Sequence, residues 1–217
     1  MPILLGVWWF VVGVLLVIGG LYAVWRAEQN KWLSWLGFHR DLPWYSLVAV
    51  IISGLITSGL WYFQPEATPV ILSLQSLIVS VLCVVIISDL HFSVINLFGL
   101  AVGTCAVLIA IALGQTWVPS LASALSAALI AIIFFLWQYL LSRGQWVGMG
   151  DAWLGAWLGL LVGWHEILIV AAVGYACAAL TAFILIVFFK QKDLNRLPLG
   201  AFLSLAALAY FLVIIVC

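Results

Sequence analysis

The stretch VILSLQSLIVSVLCVVIISD, residues 70–89, decides how this chain folds. Val70 to Ile87 carries no charge, and the run then ends on Ser88 and Asp89. An uninterrupted apolar run of nearly 20 residues has the length an α-helix needs to cross the hydrocarbon core of a bilayer. A carboxylate at that boundary is costly to keep, which makes Asp89 a functional candidate. A second aspartate stands in the same kind of place. The string Gly148-Met149-Gly150-Asp151 leads straight into the apolar run Ala152–Val162.

The rest of the chain reads in the same way. Of its 217 residues 68% are hydrophobic and only 6% charged, with a mean hydropathy of +1.34. Apolar runs fill nearly the whole length, so no separate soluble domain is expected. Eight spans are parsed: Leu4–Val24, Leu47–Phe63, Val70–Ile87, Val94–Leu113, Leu121–Leu140, Ala152–Val162, Ile167–Phe189 and Leu199–Val216. Pro43, Pro65, Pro69, Pro119 and Pro198 fall at or near their ends, where a missing N–H does least harm. The expected fold is a single all-α polytopic membrane domain, residues 1–217, with about eight transmembrane helices. Leu4–Val24 has no basic residue before it and no small-residue cleavage site followed by a soluble body, so it reads as a span and not a cleaved signal.

The few charges test this parse. Arg26, Lys31 and Arg40 lie between spans one and two, Arg143 follows span five, and Lys190, Lys192 and Arg196 lie between spans seven and eight. Alternating orientation puts all seven on one side and leaves Glu66 and Glu166 on the other. By the positive-inside rule the basic side is cytoplasmic and both termini are outside. Asp89 and Asp151, 62 residues apart in sequence, then share the cytoplasmic side. The basic residues form no run, so nucleic acid is not an expected partner. Cys83, Cys105 and Cys177 lie within apolar runs and Cys217 ends the chain. No pair has C-x-x-C spacing; they read as packing residues, and neither metal nor cofactor is expected.

Span six is short. Ala152 to Trp164 is 13 residues, about 20 Å of helix against a hydrocarbon core near 30 Å. With Trp164, His165 and Glu166 at the outer interface, Asp151 is expected to be recessed in a polar cavity opening from the cytoplasm. Gly155, Gly159 and Gly163 recur every four residues on the same helix, a spacing that lets a neighbouring helix approach closely.

Two carboxylates that meet can hydrolyse an amide. The reaction needs an activated water and a proton donor for the leaving nitrogen, and a pair sharing one proton supplies both. Asp151 opens a helix, where the positive dipole end suits a carboxylate, and Asp89 ends one. Asp151 is therefore expected to activate the water and Asp89 to give the proton. Gly148 and Gly150 are candidate substrate-binding residues, since glycine tolerates unusual dihedrals and close backbone approach; the plain alternative is a turn that only caps the helix. His91 is a further candidate against the plainer reading of a solvated loop histidine. Asn96 is another, equally readable as a helix cap.

At this point the chain resembles the type IV prepilin peptidases, the GxGD class of intramembrane aspartyl proteases. Three segments carry the likeness: Ser88-Asp89-Leu90, Gly148-Met149-Gly150-Asp151-Ala152-Trp153-Leu154-Gly155-Ala156, and Leu197-Pro198-Leu199-Gly200-Ala201-Phe202. The resemblance implies a peptidase core at about 70–217 behind an N-terminal two-helix segment at about 1–69. It implies catalytic roles for Asp89 and Asp151 alone. It also implies cleavage of short basic leader peptides from type IV pilin-like precursors, prepilins or pseudopilins, at the cytoplasmic face of a bacterial inner membrane. Ser93-Val94-Ile95-Asn96 lacks the proline usual after the first aspartate. The loop Trp25–Trp44 lacks the four cysteines of a zinc segment, and Tyr45-Ser46-Leu47-Val48-Ala49 has alanine where a carboxylate is usual. Peptide cleavage without N-methylation is the expected activity. Two other readings compete. One is a non-catalytic membrane assembly factor of a pilus or secretion system. The other is a proton-coupled transporter, against which stand the absence of an internal repeat and the placement of both aspartates near one face.

Overall fold

Backbone amides and carbonyls find no water inside a bilayer, so an apolar run satisfies them internally by forming a helix. A computed structural model describes residues 44–64, 67–145, 147–188 and 198–216, and the regular elements among them are all helices. They are α1 (Trp44–Phe63), α2 (Pro69–Phe92), α3 (Leu97–Ala112), α4 (Leu121–Ser142), α5 (Met149–Val162), α6 (Trp164–Val187) and α7 (Leu199–Val216). Three are long and apolar enough to cross a membrane: α2 over Pro69–Leu90, α4 and α6. Shorter apolar stretches are α3, α5, Ile51–Leu60 within α1 and Leu199–Ile215 within α7. The described residues are thus all-helical and compatible with a helical membrane protein. The expected span Leu4–Val24, loop residues 25–43, Glu66, and Lys190, Lys192 and Arg196 lie outside the described residues.

Local chemistry sets the ends of these helices, and it moves some expected boundaries. Pro69 stands at the start of α2, where its lost N–H costs nothing. The helix runs past Ile87 through Asp89 to Phe92, where Ser93 turns left-handed (φ 52°) and donates its N–H to the Asp89 carbonyl at 2.9 Å. Asp89 therefore sits inside the last turn of α2 and does not follow it. Residues 93–96 form a turn where a helix start was expected. Asn96 ends that turn by accepting the Gly99 amide at 3.2 Å, which places the start of α3 at Leu97.

The two aspartate-bearing helices are the central ones. In the membrane-length window of α2, 72% of residues are buried, against 22% for α4 and for α6, whose apolar side chains are largely exposed. Ile78, Val79, Leu82 and Val85 of α2 and Leu154, Trp157, Leu158 and Leu161 of α5 belong to one continuous core, which α3, α4 and α7 complete. Of α5's 14 residues, nine are buried. Cys83 packs into this core, whereas Cys105 and Cys177 are exposed on helix surfaces, where an apolar thiol suits lipid as well as protein.

Glycine spacing on α5 does what its pattern implies, and the neighbour is α4. A Cβ at Gly159 would lie 2.6 Å from the Ala128 amide nitrogen and 2.7 Å from the Ala127 carbonyl, so the two backbones touch there. Gly155 gives the Phe135 ring its place. Gly163, at φ 92°, makes the sharp turn from α5 into α6 against Pro119. Trp164 follows, its N–H donated to Ser123 Oγ at 3.0 Å. Short and clamped along one side, α5 holds its first residues rigidly.

Candidate functional site

Asp151 is positioned by the start of its own helix. Gly148 is the N-cap of α5, Met149 and Gly150 follow, and Asp151 is the third helical residue. From there its Oδ2 reaches back to accept the Gly148 N–H at 2.8 Å, the carboxylate half of a capping box. That contact occupies one oxygen. Asp151 is 9% exposed, so the side chain is recessed although it opens a helix. Gly148 has φ −80° and ψ 158°, ordinary extended values, and Gly150 is helical, so neither uses the unusual dihedrals that glycine tolerates. Their role is steric: a Cβ at Gly150 would press on Ile95 at 3.2 Å, and one at Gly148 would stand 3.4 Å from Asp151 Oδ2.

Asp89 is held by a helix far away in sequence. Its Oδ2 accepts the Ala201 N–H at 2.7 Å in a buried contact across 112 residues. The Gly200 amide contributes to the same carboxylate. Ala201 and Gly200 belong to the first turn of α7, whose N–H groups have no partner within their own helix. Asp89 therefore ends α2 but faces the amide-rich start of α7. Both carboxylates lie against helix N-termini, so the expected division of acid and base by helix ends finds no asymmetry here.

Gly200 brings the pair together. A Cβ placed there would lie 2.9 Å from Asp89 Oδ2 and 3.2 Å from Asp151 Oδ1. The two oxygens are thus at most 6.1 Å apart (2.9 plus 3.2). One water with two hydrogen bonds of about 2.8 Å reaches across up to about 5.6 Å, so it bridges the pair wherever the oxygens lie inside that length. Asp89 is 5% exposed, and among the described residues no ion pair joins either carboxylate. Arg143, the one Lys or Arg described, is exposed at the end of α4. Two buried carboxylates side by side without a cation oppose folding, and sharing a proton is the way such a pair lowers that cost.

A cavity of about 290 Å³ opens onto both aspartates, lined also by Ser93, Ile95, Gly148, Gly150 and Trp153. Gly148 and Gly150 are therefore at the site. Asn96 is 4% exposed and spends its side-chain oxygen on the Gly99 amide, the helix-cap alternative of the sequence reading. His91 lies in the last turn of α2, and its side chain lies outside the described part of the structure. Among the described residues no three His, Cys, Asp or Glu side chains cluster as a metal site requires. Gly200 and the Ala201 amide were missed as site members.

Comparison with protein-family models, with characterised proteins and with solved structures gives no match for this chain. Function rests on the geometry, which provides two adjoining buried carboxylates, each held by backbone N–H donation, lining one cavity.

Proposed function

We propose that this protein is an intramembrane aspartyl endopeptidase that cuts short basic leader peptides from type IV pilin-like precursors at the cytoplasmic face of a bacterial inner membrane. The observation that carries the reading is the meeting of Asp89 and Asp151 at Gly200, with oxygens 2.9 and 3.2 Å from one point. The pair shares a proton. One carboxylate takes a proton from the water between them as it attacks the scissile carbonyl, and the other supplies a proton to the leaving amine as the C–N bond breaks. The two apparent pKa values of such a pair belong to the dyad and not to either residue. The amides of Gly148 and Ala201 fix the carboxylates before substrate arrives, which is the positioning that catalysis needs.

The reading of the membrane side is supported by Arg143, which lies at the C-terminus of α4 just before the loop to Asp151, while Glu166 opens α6. A basic leader is drawn to two carboxylates that no described cation neutralises. The test is direct. Purified protein in detergent is mixed with a pilin-type precursor peptide, and products are read by mass spectrometry. Wild type is expected to cut at one bond, and Asp89→Ala and Asp151→Ala to cut at none. Cleavage that survives both substitutions would refute the reading.

A further inference from the structure

Ile95 stands where the two carboxylates meet. The point 2.9 Å from Asp89 Oδ2 and 3.2 Å from Asp151 Oδ1, where a Gly200 Cβ would lie, is also 3.1 Å from Ile95 Cδ1. A Cβ at Gly150 would likewise lie 3.2 Å from Ile95 Cβ and 3.4 Å from its Cδ1. The side chain thus rests against two glycines, one in the first turn of α5 and one in the first turn of α7. It is buried, and it lines the cavity together with both aspartates.

The turn that carries Ile95 is fixed at both ends. Ser93 donates its N–H to the Asp89 carbonyl at 2.9 Å, and Asn96 Oδ1 accepts the Gly99 N–H at 3.2 Å. One end of the turn is therefore tied to the residue that bears one carboxylate, while the Ile95 side chain rests beside the residue that bears the other. A β-branched side chain is stiff at χ1, so the contact is a rigid one. It offers hydrocarbon only. Few other ionisable groups lie about the pair. Helix α6 brings Tyr175 within electrostatic reach of Asp151, with its hydroxyl donated to Gln138 of α4 at 2.8 Å. Helix α3 and the first turns of α5 and α7 add none besides Asp151, and Arg143 is exposed at the end of α4. His91 of α2 has its side chain outside the described part of the structure.

We propose that Ile95 is a positioning residue of the carboxyl pair, whose side chain spaces Asp89 from Asp151 and keeps bulk water off the proton they share. The inference deepens the peptidase reading above and rests on it for its catalytic consequence. A methyl group at the meeting point takes the room a further water would need. Without that water the doubly ionised pair is disfavoured and the singly protonated pair persists. Acid–base cleavage by two carboxyl groups runs through the singly protonated form. The bare backbones of Gly150 and Gly200 are what let an isoleucine come this close.

The experiment compares full-length wild type with Ile95→Val, which removes only Cδ1, and Ile95→Thr, which also puts a hydroxyl in place of a γ-carbon. Cleavage of the precursor peptide is followed against pH. The alkaline limb should move to lower pH in the order wild type, valine, threonine, by about one pH unit for threonine, because water or a hydroxyl beside a carboxylate favours the ionised form. In Ile95→Thr kcat should fall about tenfold while KM stays within about threefold. A second measurement needs no substrate. Infrared difference spectra follow the carbonyl band of the protonated carboxyl group, assigned by its loss in the Asp89→Asn, Asp151→Asn double variant. The pH at which that band disappears should move with the limb. A side chain that only packs would lower melting temperature and kcat and leave both pH values in place, and that result overturns the proposal. A displacement that vanishes in a His91→Gln background belongs to the histidine and overturns it as well. Should the threonine variant not fold, the valine variant still reads both shifts. Wild type that cuts nothing sinks the peptidase reading, while the infrared titration still decides the part played by Ile95.

Discussion

The Ala201 main-chain amide donates to Asp89 Oδ2 at 2.7 Å, joining the start of α7 to the end of α2. That bond places Gly200 against both carboxylates, and the first prediction follows from its missing side chain. A methyl at Gly200 would lie 2.9 Å from Asp89 Oδ2, closer than real Cβ atoms come, and 3.1 Å from Ile95 Cδ1. Gly200→Ala should push the carboxylates apart and lower kcat/KM by about 10²-fold, the scale of a 1 Å misplacement. Gly200→Val should lower it further. Both are measured with the precursor peptide, alongside melting temperature in detergent. Activity within twofold of wild type in folded Gly200→Val would mean that the dyad is not formed around this residue.

Asp151→Asn keeps an oxygen acceptor for the Gly148 amide but cannot share a proton with Asp89. Cleavage is expected to fall at least about 10³-fold, since acid–base groups of this kind contribute on that scale. Stability should hold or rise, because one of two adjoining buried carboxylates has been removed. A structural capping role alone predicts near-normal cleavage and an unchanged melting temperature for Asp151→Asn, with a lower melting temperature only for Asp151→Ala. Asp151→Ala removes the cap as well and should cost about 1 kcal/mol beyond the asparagine variant. Thermal melts of the three proteins, each paired with its cleavage rate, decide between the patterns.

Two glycines in apolar helices should respond oppositely to alanine. Around Gly59 of α1 a Cβ would meet nothing within 4 Å, whereas at Gly159 it would meet α4 backbone at 2.6 Å. Gly59→Ala is expected to stabilise by about 0.5–1 kcal/mol through helix propensity. Gly159→Ala should destabilise by about 1–3 kcal/mol, since a backbone contact cannot move aside as a side chain does. Detergent unfolding of the two variants measures both. Equal effects would show that α5 does not lean on α4 as closely as described.

How much of this was legible in the sequence differs from residue to residue. Asp89 and Asp151 were legible because charge is rare in an apolar chain, and the stepping of Gly155, Gly159 and Gly163 because helix periodicity is fixed. Unbroken hydrophobicity marks where helices are, but it says little about where they stop. The end of α2 depends on Ser93 adopting φ 52°, and the start of α3 on the Asn96 side chain. Gly200 was not legible as a site residue because its part is played by an amide neighbour and an absent side chain. Neither leaves a chemical mark in sequence. The same reason explains the lost acid–base asymmetry. Asp89 ends its own helix, and only the tertiary packing of α7 on α2 reveals which helix end its carboxylate faces.

Asn96 separates a packing role from a chemical one. It is buried, lies in the same short turn as the cavity residues Ser93 and Ile95, and uses its oxygen on the Gly99 amide at 3.2 Å. Asn96→Asp keeps the acceptor, and Asn96→Ala removes it. If the residue acts as a cap, Asn96→Ala should cost about 1 kcal/mol of stability. Its cleavage rate should fall only a few-fold, as Ile95 shifts against Gly150. Asn96→Asp should restore the cap, because a carboxylate suits a helix N-terminus, while adding a third carboxylate near the dyad. Its pH–rate profile should therefore be displaced from that of wild type, with stability regained. A loss near that of Asp89→Ala in folded Asn96→Ala would instead place Asn96 in contact with the substrate.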